Sequence, residues 1–178
     1  MTPKESLPGG NQAGDGRETD PKAGGDLQPD SSTSAPSAQV AIYSDGLCER
    51  NPGGWACWGW LALGADGQTL ASDCGVIGRG AGMTSNLAEY TAALKALEWA
   101  AGAGLVGLTL RTDSQLVAYQ AAGVWQCYAG NLWPLLADVR ALMAVTDARV
   151  EWVPREQNAR ADALSRQAYA LARKGGQP

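Results

Sequence analysis

Four acidic residues stand where the sequence predicts strands to end or helices to begin. Asp45 and Asp113 each follow an apolar stretch of the kind that forms a buried strand. Glu89 and Asp162 fall in the first turns of two predicted helices. Four carboxylates gathered at one edge of a sheet would repel one another strongly unless cations neutralised them. The pattern therefore predicts a site for divalent metal ions.

The types of ligand narrow the choice of metal and of reaction. The chain has no histidine, and carboxylate oxygens without nearby thiolates favour Mg²⁺, with Mn²⁺ as a substitute. Two such ions about 4 Å apart suit in-line attack by water at phosphorus, because one ion activates the water and the other stabilises the leaving oxygen. The chain lacks a glycine-rich phosphate loop with a lysine, which argues against nucleotide kinases and ATPases.

Each acid taken alone also has a purely structural explanation. Asp45 before a glycine is typical of a turn, and Glu89 has the spacing of a helix capping box. Asp113 could cap the following helix, and Asp162 would suit the positive end of a helix dipole. The metal hypothesis depends on all four meeting, and hence on the order of the secondary structure.

Nine elements are predicted, in the order β-β-β-α-β-α-α-β-α. Apolar or alternating runs indicate the strands, and apolar residues at helical spacing indicate the helices. The predicted strands cover 39–46, 55–63, 68–78, 105–112 and 148–153, and the predicted helices cover 85–103, 114–122, 132–145 and 158–174.

This order predicts an α/β fold with a five-stranded mixed sheet flanked by helices. The first three strands would form an antiparallel meander, because short turns join them. The last two, reached through helical crossovers, would run parallel to the first. Their carboxyl ends would then meet at one edge of the sheet, where α/β folds place ligands.

The two ends of the chain differ from the rest in composition. Residues 1–38 are rich in Gly, Pro, Ser and Asp and contain no aromatic residue, which predicts a disordered low-complexity tail. Residues 39–174 form the predicted catalytic domain, and 175–178 a disordered C-terminus. The tail holds six acidic and three basic residues, so most of the net charge of −4 lies there. The charge therefore does not exclude a polyanionic substrate.

The remaining composition points to a protein without a membrane partner. No apolar run approaches the roughly 20 residues that span a bilayer, and the N-terminus has no apolar secretory region. The four cysteines show no C-x-x-C spacing, so we predict reduced cysteines that pack in the fold. We expect a cytoplasmic monomer.

Five short motifs occur in one order along the chain. They are Tyr43-Ser44-Asp45-Gly46, Asn51-Pro52-Gly53-Gly54, Thr84-Ser85-Asn86-Leu87-Ala88-Glu89, Thr112-Asp113-Ser114 and Asn158-Ala159-Arg160-Ala161-Asp162. With them, residues 39–172 resemble the ribonuclease H type 1 family, in the short archaeal-like form. The resemblance implies a ribonuclease-H-like fold and endonucleolytic hydrolysis of the RNA strand of RNA/DNA hybrids with two metal ions.

The resemblance also assigns roles to residues. It implies that the four metal-binding, catalytic acids are Asp45, Glu89, Asp113 and Asp162. It implies contacts with the hybrid for a second set: Gly46, Asn51, Thr84, Ser85, Asn86 and Ser114. Recognition through 2′-hydroxyl groups fits the way proteins distinguish RNA from DNA.

Three features depart from the family pattern. Residues 121–132 are too few for the basic, Trp-rich helical insert of many members, so we expect a weaker grip on the DNA strand. Leu47 stands where many members have serine. The catalytic histidine of the bacterial enzymes is missing, and the segment 153–158 resembles the short archaeal enzymes, in which an arginine occupies this region. We therefore propose Arg155 as a catalytic substitute, with a solvated loop residue as the alternative.

Two other classes compete with a hybrid-cleaving enzyme. One is a non-catalytic module of the same fold that binds RNA/DNA hybrids, against which four intact acids argue. The other is an exonuclease of the related four-acid type, which would need a second acid two residues after Asp45, where Leu47 stands. The sequence leaves open whether double-stranded RNA is a further substrate.

Overall fold

The computed structural model describes residues 40–175, so the predicted tail at 1–38 and the last three residues lie outside the described range. The strands are β1 (Ala41–Cys48), β2 (Trp55–Leu63), β3 (Thr69–Arg79), β4 (Thr109–Thr112) and β5 (Arg149–Trp152). The helices are α1 (Ser85–Gly102), α2 (Gln115–Ala121), α3 (Trp133–Val145) and α4 (Ala159–Gly175), with a 3₁₀ turn at Arg155–Gln157 before α4.

The strands form one mixed sheet in the order β3-β2-β1-β4-β5. β1, β2 and β3 pair antiparallel, whereas β4 lies parallel to both β1 and β5. The predicted five-stranded mixed sheet is therefore confirmed. Ser44 is paired with Thr112 in the parallel register, so the residues that follow them, Asp45 and Asp113, lie side by side.

Two strand boundaries differ from the prediction. β1 continues past Gly46 to Cys48, because β2 keeps pairing with it there while β4 has already ended. Asp45 thus lies in the middle of β1 and not near its end. β4 begins at Thr109 and not at residue 105, since Gly107 has a φ of +71°, which an extended strand does not tolerate.

The helices cover the sheet unequally. α1, α2 and α3 pack on one face, where the main core includes Ile42, Leu97 and Leu110, all fully buried or nearly so. α4 crosses the other face over β1, β2 and β3. Gly59 permits its close approach, because a Cβ there would come within 2.5 Å of the backbone nitrogen of Ser165. Among residues 40–175, no helix is long and apolar enough to cross a membrane.

Candidate metal centre and active site

Three of the four predicted acids meet at the floor of one cleft. One carboxylate oxygen from each of Asp45, Glu89 and Asp113 lies within 4.8 Å of the others. They come from β1, the second turn of α1 and the residue after β4, and the parallel pairing of β1 with β4 places Asp45 beside Asp113. The cleft has a volume of about 500 Å³, and Asp162 of α4 lies in its wall. We call the first three acids the carboxylate trio.

Asp45 is the buried member of the trio, with 4% of its surface exposed. Its Oδ2 accepts a short hydrogen bond from the hydroxyl of Ser165 on α4. Burial raises the pKa of Asp45 to about 6, and the charges of Asp113 and Asp162 add to the rise. A cation bound at the trio would oppose this effect by stabilising the ionised carboxylate.

Glu89 packs directly against β1 because Gly46 has no side chain in the space between them. The amide of Gly46 donates to Glu89 Oε2 at 3.1 Å, and a Cβ at position 46 would overlap the backbone of Glu89. Burial raises the pKa of Glu89 well above its ordinary value, and the negative charges of Asp45 and Asp113 raise it further. Gly46 therefore has a packing role that brings α1 to the sheet, whatever it contributes to substrate binding.

Asp113 is fixed by groups from the end of the chain. Its Oδ1 accepts from Asn158 Nδ2 at 2.6 Å, and the same amide group donates to the carbonyl of Ser44 at 2.9 Å. The indole Nε1 of Trp152 donates to the backbone carbonyl of Asp113 at 3.1 Å. Asn158 is fully buried, and its two hydrogen bonds join β1 and the residue after β4 to the segment just before α4.

Asp162 lies in the same cleft, but its partners are cations. Arg155 Nη2 donates to its Oδ1 at 2.5 Å, and Arg166 Nε donates to its Oδ2 at 2.6 Å. The hydrogen bond from Arg166 lowers the pKa of Asp162, and the bond from Arg155 lowers it further. The structure thus brings three of the four acids within 4.8 Å of one another and neutralises the fourth with two arginines.

The residues expected to contact substrate fall into three groups. Gly46 and Ser85 line the cleft. Asn51 and Thr84 shape the nearby backbone, since Asn51 Oδ1 accepts from the amide of Ser85 at 3.1 Å and Thr84 Oγ1 from that of Leu87 at 3.1 Å. Asn86 and Ser114 each follow a residue that lines the cleft. Asn86 is exposed on the first turn of α1, and Ser114 is the N-cap of α2.

Sequence reasoning missed the residues that hold the acids in place. Ser165 and Asn158 received no role of their own, although they lie three residues after and four residues before Asp162, a spacing that puts them close on a helix. Arg166, one turn after Asp162, is an i,i+4 pair that the sequence does display. Ser165 and Asn158 bind Asp45 in β1 and Asp113 after β4, which are far away in the chain, so no local pattern predicts these two hydrogen bonds.

Comparison with known proteins places the chain in a family. A profile of the family described as "Reverse transcriptase-like" matches residues 44–168. The chain is 40% identical over 131 residues to ribonuclease HI of Halobacterium salinarum and 32% identical over 152 residues to a ribonuclease H of Dinoroseobacter shibae. The chain therefore belongs to the ribonuclease H type 1 family, and the resemblance noted in the sequence is confirmed.

Solved structures agree with this assignment. The crystal structure of the Halobacterium RNase H1 has a TM-score of 0.69 at 39% identity and covers 74% of this chain and 98% of that one. The N-terminal RNase H domain of a Mycobacterium tuberculosis protein has a TM-score of 0.72 at 33% identity, covering 79% and 100%. LC11-RNase H1, solved in complex with an RNA/DNA hybrid, has a TM-score of 0.69 at 33% identity, covering 75% and 99%.

The matched relatives differ in length. The chain spans 64% of the Halobacterium protein and 36% of the mycobacterial proteins it matches, but 95% of the Dinoroseobacter ribonuclease H. The matching region therefore corresponds to a whole protein in one relative and to part of a longer protein in the others.

Proposed function

We propose that this protein hydrolyses the RNA strand of RNA/DNA hybrids endonucleolytically, with two divalent metal ions. The observation that carries the proposal is the carboxylate trio: three acids within 4.8 Å, two of them with raised pKa. No salt bridge within residues 40–175 reaches any of the three. A cation from outside the chain would stabilise the ionised form of such a cluster.

The donor set fits hard ions. The trio offers carboxylate oxygens alone, which suits Mg²⁺ and also Mn²⁺. Asp45, Glu89 and Asp113 would hold one ion, and Asp162 would join Asp45 in holding a second. When bound, two such ions activate water and stabilise the leaving oxygen at phosphorus. Residues next to the acids hold them in position: the hydroxyl of Ser165 donates to Asp45, as residues behind a metal ligand commonly do to orient it.

The cleft wall suits a nucleic-acid backbone. Arg155 and Arg166 stand beside the acids and can contact phosphate. The ion pair with Asp162 raises the pKa of Arg155, so this guanidinium stays charged and cannot deliver a proton. We infer that Arg155 stabilises charge on the cleaved phosphate. Protons for the leaving oxygen must then come from water.

Recognition of the hybrid would involve the backbone around the cleft. We propose that Gly46, Ser85 and the exposed Asn51 and Asn86 contact the minor groove, where 2′-hydroxyl groups distinguish RNA from DNA. Thr84 and Ser114 would lie near phosphates. LC11-RNase H1, a relative at 33% identity, has been solved with an RNA/DNA hybrid, which supports this choice of substrate.

The catalytic unit is proposed to be residues 39–174, acting as a monomer, since all four acids come from one chain. The deciding experiment uses a hybrid with a short internal block of ribonucleotides, incubated with Mg²⁺, Mn²⁺ or EDTA. Internal cuts in the RNA that need metal support the proposal. Binding without cutting supports a non-catalytic module, and cutting only from an end supports an exonuclease. A parallel reaction with double-stranded RNA settles that substrate.

A further inference from the structure

Both carboxylate oxygens of Asp162, a proposed metal ligand, already accept hydrogen bonds from arginines. Oδ1 accepts from Arg155 Nη2 at 2.5 Å and from Arg166 Nη2 at 3.3 Å, and Oδ2 accepts from Arg166 Nε at 2.6 Å. Arg166 is therefore bidentate, which is the strongest geometry for a guanidinium on a carboxylate. We call these three hydrogen bonds the arginine clamp. A cation that binds Asp162 would have to compete with the clamp for the carboxylate oxygens.

We propose that Arg166 is a positioning residue which, together with Arg155, withholds Asp162 from metal until nucleic acid is bound. In the free protein the carboxylate trio then takes one divalent ion, and the second ion enters only with the hybrid. This inference rests on the proposed function for its substrate. The clamp itself is a property of the free protein and can be tested without any nucleic acid.

The exposure of the clamp shows how substrate would open it. The side chains of Arg155 and Arg166 are 64% and 58% exposed at the cleft, whereas that of Asp162 is 19% exposed beneath them. An incoming phosphate therefore meets the two guanidinium groups before it meets the carboxylate. Phosphate matches the guanidinium fork as well as carboxylate does. Transfer of the arginines to phosphate would free both oxygens of Asp162 at the moment when the scissile group arrives.

Arg160 provides a matched control on the same helix. It lies two residues before Asp162, but its Nη2 donates to Thr69 Oγ1 of β3 at 2.6 Å, and it does not line the cleft. Arg160→Gln removes the same charge from α4 without touching the clamp. An effect of net charge alone on metal binding should therefore appear in Arg160→Gln as well, although the double clamp variant loses two charges and Arg160→Gln only one.

The test is a calorimetric titration of the metal-free full chain with Mn²⁺, without nucleic acid. Wild type and Arg160→Gln should bind one ion in the accessible range. The double variant Arg155→Gln/Arg166→Gln should bind a second ion at least about tenfold more tightly, as expected when charged hydrogen bonds no longer compete. Electron paramagnetic resonance should then show coupled Mn²⁺ pairs. Arg166→Lys, which keeps the charge but not the fork, should lie between the two.

The same titration can overturn the inference. Equal stoichiometry and affinity in the double variant and in Arg160→Gln, both shown to be folded by thermal melting, would mean that the clamp does not control metal access. In a second arm, wild type with a hybrid whose RNA strand resists cleavage should gain one ion, and no gain would refute the exchange with phosphate. A clamp effect in a protein that cuts no hybrid would refute the proposed function alone.

Discussion

The carboxylate trio and Asp162 share one cleft but are neutralised in opposite ways. Each acid of the trio has a neutral hydrogen-bond donor: the Ser165 hydroxyl, the Gly46 amide and the Asn158 side-chain amide. Asp162 instead has two arginines. The pKa values differ accordingly: burial and the charges of neighbouring acids raise the pKa values of Asp45 and Glu89, whereas the arginines lower the pKa of Asp162.

This difference indicates which part of the site depends on an external cation. Neutral donors orient a carboxylate without compensating its charge, so the trio remains electrostatically strained in the free protein. The two arginines compensate much of the charge of Asp162, although that charge still adds to the rise in the pKa of Asp45. We therefore expect substitutions in the trio to act on metal binding and catalysis, and substitutions in the clamp to act on the coupling between metal and substrate.

The largest effect is expected from Asp113→Asn. The substitution removes a charge of the trio but keeps an oxygen that can accept from Asn158, so the variant should fold. Cleavage of hybrid should fall to below about one-thousandth of the wild-type rate, because a metal ligand is lost. The melting temperature of the metal-free protein should stay equal or rise, since one repelling charge is gone.

A rate assay and a thermal melt on the same preparation test both statements. Asp138→Asn, an exposed acid on α3, is the control and should match wild type in each. Turnover near the wild-type rate in Asp113→Asn would show that the trio is not the catalytic centre.

The next effect is the pH dependence of stability without metal. The pKa of Asp45 is about 6 in the folded protein and 3.8 as the ordinary value, so the folded state binds more protons between these values. The contribution of Asp45 to stability should be fully present below about pH 4 and be lost as pH rises through about 6, by up to about 3 kcal/mol. Urea unfolding in EDTA at several pH values measures this.

The two acid environments predict opposite signs in that experiment. Asp45→Asn should remove the part of the loss of stability toward neutral pH that Asp45 contributes, and Glu89, whose pKa is also raised, should keep the rest. Asp162 has a lowered pKa, so its contribution is present above its unfolded pKa and lost as pH falls. Asp162→Asn should therefore leave the loss toward neutral pH in place. The same pH profile in both variants would contradict the comparison.

Arg155→Ala is expected to have an intermediate effect on catalysis. With Arg155 removed, one charged hydrogen bond to the cleaved phosphate is lost, and kcat should fall roughly 10–100-fold. The residual activity should remain dependent on metal. Steady-state kinetics at saturating Mg²⁺ provide the measurement. A kcat equal to wild type would leave Arg155 without a catalytic role.

The smallest effect is expected from deletion of residues 1–38. That segment has the composition of a disordered tail and contributes none of the four acids. Cleavage per folded molecule should stay within about twofold of the full chain, a change in activation free energy below about 0.5 kcal/mol. A large loss at equal folded concentration would mean that the segment binds substrate or partner.

Much of the fold could be predicted from local pattern. Strand and helix periods are read over a few residues, so the order of nine elements and the parallel pairing of β1 with β4 followed from the sequence. The ends of the strands depend on more than local pattern. β1 passes Gly46 because its partner β2 continues, and that pairing is a contact between strands which no single segment encodes.

The sequence by itself predicted the four acids that line one cleft, because motif order and strand ends are local properties. Only the tertiary structure decided how each acid is neutralised. Ser165 reaches Asp45 across 120 positions and Asn158 reaches Asp113 across 45, so both bonds exist only once α4 has packed on the sheet. The physical reason is that a hydrogen bond needs its donor within about 3 Å and well aligned, which packing sets and spacing along a chain does not.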